Sequence, residues 1–284
     1  MRAPVSEEPK LSWEEAVRWY RAQPDSEAAI RANFFDLPVL QAAQRYAAGE
    51  EFAEVARLLG PGGGRHILDL GAGNGIASYA FARAGWRVTA LEPDPSTEVG
   101  AGAIREIQTA TDLPITIVTV VGDTLPLAEA SCDAVFARQV LHHVPDLRQT
   151  MRELYRILRP QGCVLAIREH VVHDAEELAR FRGRHPLHHL YGGENAYPLD
   201  TYLSAGSTSG FVVEKTWGPL ESILNFFPGT EDARQRWVRH LAHRRFLGLG
   251  RLFARSPEFI ATALRTEERT NPTPGRIHSF LLRK

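Results

Sequence analysis

The chain has 284 residues, 44% of them hydrophobic, enough to bury the core of one α/β-sized domain with an added cap and too little for two equal domains. Lysine and arginine total 33 against 34 aspartates and glutamates, so no global field draws in nucleic acid or an anionic membrane. Two cysteines, Cys132 and Cys163, exclude a disulfide scaffold; the first ten residues lack a signal-peptide core and no apolar run reaches about 18 residues, which predicts a soluble cytoplasmic protein.

Taken in chain order, Ser12-Trp-Glu-Glu15 has the spacing of a capping box, and Trp13, Ala16, Val17 and Tyr20 then fall on one helical face. Helical patterning continues through Leu59 with a break near residues 33–38, so residues 1–64 read as a helical cap joined by Gly60-Pro-Gly-Gly-Gly64 to the first core strand. Residues 67–75, Ile-Leu-Asp-Leu-Gly-Ala-Gly-Asn-Gly, are an apolar strand entering a glycine turn at the start of a helix, Ile76 to Ala84. Ile76 stands where a dinucleotide fingerprint needs its third glycine, and Asp69 would repel a pyrophosphate while attracting an ammonium group. The favoured ligand has a cationic end and no phosphates; S-adenosylmethionine fits.

A second strand, Arg87 to Leu91, ends at Glu92, a carboxylate suited to ribose hydroxyls, followed by Pro93. After a helix within residues 97–111, Ile115 to Val121 reads as a third strand ending at Gly122-Asp123. Cys132 to Gln139 is a fourth strand, followed by Val140-Leu-His-His-Val-Pro-Asp146. Leu147, Met151, Leu154, Tyr155 and Leu158 recur at helical spacing and read as core, and Cys163 to Arg168 is a fifth strand.

This ordered series resembles the class I S-adenosylmethionine-dependent methyltransferases, particularly the group similar to the ubiquinone and menaquinone biosynthesis enzymes, over about residues 66–172. The resemblance implies a Rossmann-like α/β sheet, parallel strands with an antiparallel last strand, formed by residues 65–218 and 275–284. It implies that Asp69 and the turn Gly71, Ala72, Gly73, Asn74 and Gly75 hold the methionine end. Glu92 and Pro93 would sit at the ribose, Asp123 and Thr124 at the adenine edge, and Arg138, Gln139 and His143 along the cofactor's reactive side.

In open α/β sheets ligands bind beyond the C-terminal strand ends, which points to residues 138–143 and 168–173 for acceptor chemistry. His142, His170 and Arg138 are the catalytic candidates, since histidine titrates near neutrality. Residues 169–198 read as an irregular substrate loop. Its stretch 181–197 is dense in polar rings, and Arg168, His185, His188, His189, Tyr191 and Asn195 are the substrate-binding candidates. His185 and His189, four apart with Glu194 nearby, raise a metal site, but Pro186 and the glycines argue against the helix it needs, and the expectation is no metal.

Past this loop, a helix near residues 199–205 and a strand at residues 211–217 precede a helical insertion, residues 219–274, and the last strand, Ile277 to Leu282. Ile223 to Pro228 is apolar enough to roof the pocket. Arg234, Arg236, Arg239, Arg244, Arg245, Arg251 and Arg255 are interleaved with Trp237, Phe246 and Leu252, a basic amphipathic stretch for which an anionic acceptor, RNA or a membrane surface stay open. A solvated helix face covering the sheet edge or meeting a second copy in a homodimer is the favoured reading. The expected activity is methyl transfer to a small-molecule acceptor in metabolite or natural-product biosynthesis, oxygen first and nitrogen next, with no nucleic-acid or membrane partner. A nucleic-acid methyltransferase and a non-catalytic partner protein of the same fold are the alternatives.

Overall fold

The computed structural model describes residues 11–24, 26–120, 124–245 and 256–284. Asp123 lies outside them, as do Arg251, Arg255, Phe246 and Leu252. Seven strands form one sheet: β1 (His66–Leu70), β2 (Arg87–Leu91), β3 (Ile115–Val118), β4 (Cys132–Arg138), β5 (Leu158–Val171), β6 (Val212–Trp217) and β7 (Arg276–Arg283). Their spatial order is β3-β2-β1-β4-β5-β7-β6. β1 to β5 pair in parallel and β7 runs antiparallel to both β5 and β6. The fold is therefore the Rossmann-like α/β sheet with an antiparallel last strand, and the chain reverses its direction of travel across the sheet between β1 and β4, which places a crevice at their C-terminal ends.

Helix α1 (Trp13–Arg21) starts with the full capping box: the Glu15 backbone N–H donates to Ser12 Oγ at 3.3 Å, and the Ser12 backbone N–H donates to Glu15 Oε2 at 2.8 Å. After α2 (Glu27–Ala32), α3 (Val39–Ala47) buries Val39, Ala42, Ala43 and Tyr46 in the main core beside α5 (Ile76–Arg83). Helix α4 (Glu50–Leu59) buries Phe52, Val55 and Leu59 there too. The small residues on α3 and α5 let the two helices approach closely, which ties the N-terminal helices to the face of the sheet that carries Ile67, Val88 and Phe136.

Helix α6 (Ala101–Thr111) covers β2 and β3, and α7 (Leu147–Ile157) packs Leu147, Met151 and Leu154 against the opposite face. Leu158, expected on the helical face, instead opens β5 by pairing with Cys132, so helix gives way to strand without a loop. Two further corrections concern residues 169–198. β5 continues to Val171, and helices α8 (Ala175–Arg184) and α9 (Pro186–Leu190) occupy what reads as irregular sequence. Pro186 starts α9, where a missing N–H costs nothing because the first helical amides have no intrahelical acceptor.

The segment Ile223 to Pro228 does not roof the pocket. Leu224 is fully buried in the main core, and Asn225 is locked by Ser279 Oγ, which donates to its Oδ1 at 2.6 Å. After α10 (Leu199–Thr208) and β6, helix α11 (Glu231–Arg245) carries pairs along itself, Arg234 with Glu231 and Arg236 with Asp232. Such pairs one turn apart are the pattern of a solvated face. No helix among the described residues is long and apolar enough to cross a membrane.

Candidate active site

A cleft of about 440 Å³ opens at the C-terminal ends of β1, β2 and β4. Its floor is the turn after β1. Gly71 has φ +61°, and a Cβ there would lie 2.6 Å from Val140 Cγ2, so both the backbone conformation and the approach of the chain after β4 require glycine. Gly75 (φ +83°) starts α5 and faces Ile104 rather than the cleft. Ala72, Gly73 and Asn74 line the floor between them.

Two carboxylates flank this turn. Asp69 is 2% exposed, and its hydrogen-bond donors among the described residues come from Ser78, whose Oγ lies 2.5 Å from Oδ2. Burial pushes its pKa up to about 7, helped by the nearby Glu92 charge and opposed by the Ser78 hydrogen bonds, with no cation among the described residues offsetting the lost hydration. Glu92 is 8% exposed and accepts the Gly73 N–H at 2.7 Å and the Asp94 N–H at 2.9 Å. Burial raises it too, to about 7, against those two hydrogen bonds. A buried acid without a cationic partner is complementary to an ammonium group, and a clamped carboxylate with lone pairs to spare is complementary to paired hydroxyls. The residues present therefore fit S-adenosylmethionine, which Asp69 would meet at its amino group and Glu92 at its ribose.

The other end of the cleft is lined by His142, His143, His170, His185 and Glu194. Its organiser is Glu169, fully buried on β5, which accepts the backbone N–H groups of Val140, Leu141 and His142 at 3.1 Å each and His142 Nδ1 at 2.6 Å. Four donors keep a buried carboxylate viable despite the desolvation that raises its pKa, and they shape the turn that presents the histidine pair. His143 Nδ1 lies 3.2 Å from the Gly193 carbonyl and His170 Nδ1 2.6 Å from that of Gly275. Burial holds the imidazoles neutral: it lowers His142 well below the ordinary value, His170 to about 3, and His143 and His185 as well.

Several sequence candidates lie elsewhere or act otherwise. Arg138 lines the cleft, but its donors are engaged by the cap: Nε with Glu51 Oε1 at 2.9 Å, Nη2 with the Ala32 carbonyl and Nη1 with Gln139 Oε1. Its guanidinium also stacks on Phe34 at 3.8 Å, so it braces the cap and is not free to act on an acceptor. Gln139 is held likewise, its Nε2 donating to Asn33 Oδ1. Arg168 does not line the cleft. It is buried at the seam with the insertion, Nη1 donating to the Phe227 carbonyl, and burial with Arg138 nearby lowers its pKa to about 10.

His188, His189, Tyr191 and Asn195 are also outside the cleft lining. His189 Nε2 meets the Gly183 carbonyl, Tyr191 packs on Trp13, and Asn195 accepts from Arg182. The reason is the α8–α9 turn, which directs His185 and Leu187 inward, while Glu194 reaches the cleft from the segment after α9. Thr124 is exposed and does not reach the cleft. Sequence reasoning missed Glu169 as a site residue, though an acid beside His170 was the available signal, and it took up Glu194 only beside the His185–His189 pair. Trp13, Asn33, Phe34 and Phe35 of the cap also wall the cleft, and no local sequence signal marks them.

A protein-family model described as a methyltransferase domain matches residues 68–166. An uncharacterised methyltransferase of Mycobacterium avium (strain 104) is 37% identical over 134 residues, 47% of this chain and 49% of the relative. The chain spans about half the length of the curated relatives it matches. Among solved structures, the [4+2]-cyclase SpnF superposes with a TM-score of 0.53 at 17% identity, over 86% of this chain and 82% of the other. A candidate sarcosine dimethylglycine methyltransferase from Galdieria sulphuraria superposes with a TM-score of 0.57 at 20% identity, over 95% and 98%. These descriptions do not single out the ubiquinone and menaquinone group. Residues 68–166 are thus similar to a methyltransferase domain, and the seven-strand sheet with its antiparallel last strand is the Rossmann-like fold shared with these solved structures.

Proposed function

We propose that the protein transfers a methyl group from S-adenosylmethionine to a small, oxygen-bearing acceptor, with a hydroxyl favoured over an amine. The observation that carries this reading is the pairing, in one cleft, of the Asp69–Glu92 cradle with a wall of neutral imidazoles. S-adenosylmethionine supplies a methyl carbon on a sulfonium leaving group. Bound there, it would give that methyl to the acceptor oxygen while sulfur keeps the electron pair of the broken S–C bond, and the acceptor's proton would leave to solvent.

The chain's own contribution is alignment and exclusion of water. Asp69 and Glu92 hold the two ends of the donor, Phe34 and Phe35 close the cleft from the cap side, and His170, its Nδ1 bound to the Gly275 carbonyl, presents Nε2 as an acceptor for a hydroxyl proton. His142 and His170 were expected as bases, but imidazoles held neutral by burial are weakly basic and suit orientation better than proton abstraction. Buried lone pairs also favour acceptors that donate hydrogen bonds over permanently cationic ones.

The test is a two-stage measurement on the purified chain. Calorimetry with S-adenosylmethionine and S-adenosylhomocysteine should show binding of both, and release of S-adenosylhomocysteine should then be followed across phenols, hydroxy acids, amines and short RNA. Turnover with hydroxylated acceptors is expected. Binding of NADH with no heat from either adenosyl compound would end this reading, and turnover confined to RNA would replace its acceptor class.

A further inference from the structure

We propose that His142, His143 and Glu194 bind a divalent transition-metal ion of the zinc type at the acceptor end of the cleft, leaving an open coordination position for an acceptor oxygen. One potential ligand atom from each of the three lies within 4.8 Å of the others. They come from two separate parts of the chain, the turn after β4 and the segment after α9. That segment is returned to β5 by a bridge between Tyr197 and Val171, so the fold itself brings them together.

Glu194 is the telling residue. It is 5% exposed, yet its carboxylate makes no hydrogen bond among the described residues. Its nearest basic atoms are His143 Nε2 at 3.9 Å and His185 Nδ1 at 3.7 Å, and His185 Nδ1 is itself buried without a hydrogen-bond partner. Those separations are too long for direct hydrogen bonds. Ligands on one tetrahedral ion with bonds of about 2.0–2.1 Å stand roughly 3.3 Å apart, so His143 and Glu194 would draw together by about half an ångström, and the widest pair of the trio by up to about 1.5 Å, for the ion to take the place of the missing contacts.

The outer ring atoms are arranged as ligating histidines require. His142 Nδ1 meets Glu169 and His143 Nδ1 meets the Gly193 carbonyl, which leaves Nε2 of each for the cleft. A carboxylate or carbonyl behind the imidazole fixes the tautomer and raises ligand basicity. Two imidazoles and one carboxylate are a donor set for zinc, iron or manganese, and three protein ligands with a fourth position open is the catalytic form of such a site. The sequence points to no metal because Pro186 and the glycines argue against a helix carrying both His185 and His189; in the structure His189 turns to Gly183, and the trio is His142 and His143 from the β4 turn with Glu194 from the segment after α9.

The acceptor clause rests on the methyl-transfer reading. An ion there would bind an acceptor's hydroxyl oxygen and lower its pKa, supplying the activation that neutral buried imidazoles lack. The favoured class is then an acceptor with a hydroxyl beside a second oxygen, able to chelate.

The test uses the full chain, stripped with a chelator and titrated with Zn²⁺, with Co²⁺ as an optical probe. One zinc per chain is expected, with visible cobalt bands of nitrogen and oxygen ligation. His143→Ala and Glu194→Gln should each weaken zinc at least tenfold, while His173→Ala, an exposed histidine paired with Glu177, should not. Far-UV circular dichroism and the thermal-unfolding midpoint, measured in parallel, serve as the folding control for both variants, and S-adenosylhomocysteine affinity is measured on the wild-type chain. Absence of stoichiometric zinc in the wild-type chain, or equal zinc affinity in wild type and both folded variants, overturns the metal site and leaves the donor reading standing. Zinc binding without S-adenosylhomocysteine binding does the reverse.

Discussion

The two ends of the cleft solve the problem of burying polar groups in opposite ways. At the donor end, Asp69 and Glu92 are buried acids whose pKa values rise to about 7 because little cationic compensation is built in. At the acceptor end, Glu169 is surrounded by four donors and the imidazoles around it are kept neutral. The first end is electrostatically incomplete and waits for a cation; the second is internally satisfied except at Glu194 and His185. A site that must capture a charged donor reversibly gains from an unsettled acid, whereas one that must position an acceptor gains from rigid, preset lone pairs.

The largest effect that would break this contrast lies beneath both ends. Glu51 is buried and carries Arg138 at 2.9 Å, with Arg168 3.9 Å away. Glu51→Ala leaves two buried guanidinium groups without their carboxylate and should cost about 3–5 kcal/mol of stability, read as a shift in the urea midpoint. A change under about 1 kcal/mol would mean that the cap is held by apolar packing alone.

Next in size is the split between ends. Glu92→Ala should weaken S-adenosylmethionine by roughly a hundredfold, about 2.7 kcal/mol, since it loses ligand contacts and frees the Gly73 and Asp94 amides. Asp69→Asn should weaken it by about tenfold, and His170→Ala should lower turnover while leaving donor affinity within about twofold. Equal loss of affinity in all three would erase the division of labour.

The smallest effect sharpens the comparison through pH. Asp69 must be ionised to meet an ammonium group, and with its pKa near 7 donor affinity should fall about tenfold from pH 8 to pH 6, with proton release on binding at neutral pH. Stability runs the other way. The folded chain holds this proton between its ordinary value of 3.8 and about 7 while the unfolded chain has lost it, so the ligand-free protein should lose stability as pH rises through that window and be weakest above it. Asp69→Asn should make both profiles shallower and leave the share that Glu92, also raised to about 7, contributes over the same window, measured by calorimetry and thermal unfolding across pH 5 to 8.

Arg138 and the histidine segment show where sequence reading stops. The strand before Asp69, the glycines after it and Glu92 at the end of the next strand are legible because a tight turn imposes local demands: positive φ at Gly71 and Gly75, and an apolar run that ends where the ligand begins. Arg138 sits equally plainly at a strand end, yet its partner lies 87 positions earlier, and no spacing along the chain announces that Glu51 would claim it. The same holds for Glu169 under His142 and for Glu194 beside His143 and His185.

By itself, then, the sequence determined the α/β class, the run of strands and the donor turn, because periodicity and backbone conformation are short-range properties. Only the tertiary structure decided which arginines are braces, which histidines face the cleft and which carboxylate is left wanting a partner. Burial and long-range pairing set the charge and free lone pairs of those groups, and neither exists until the sheet, the cap and the α8–α9 turn are assembled.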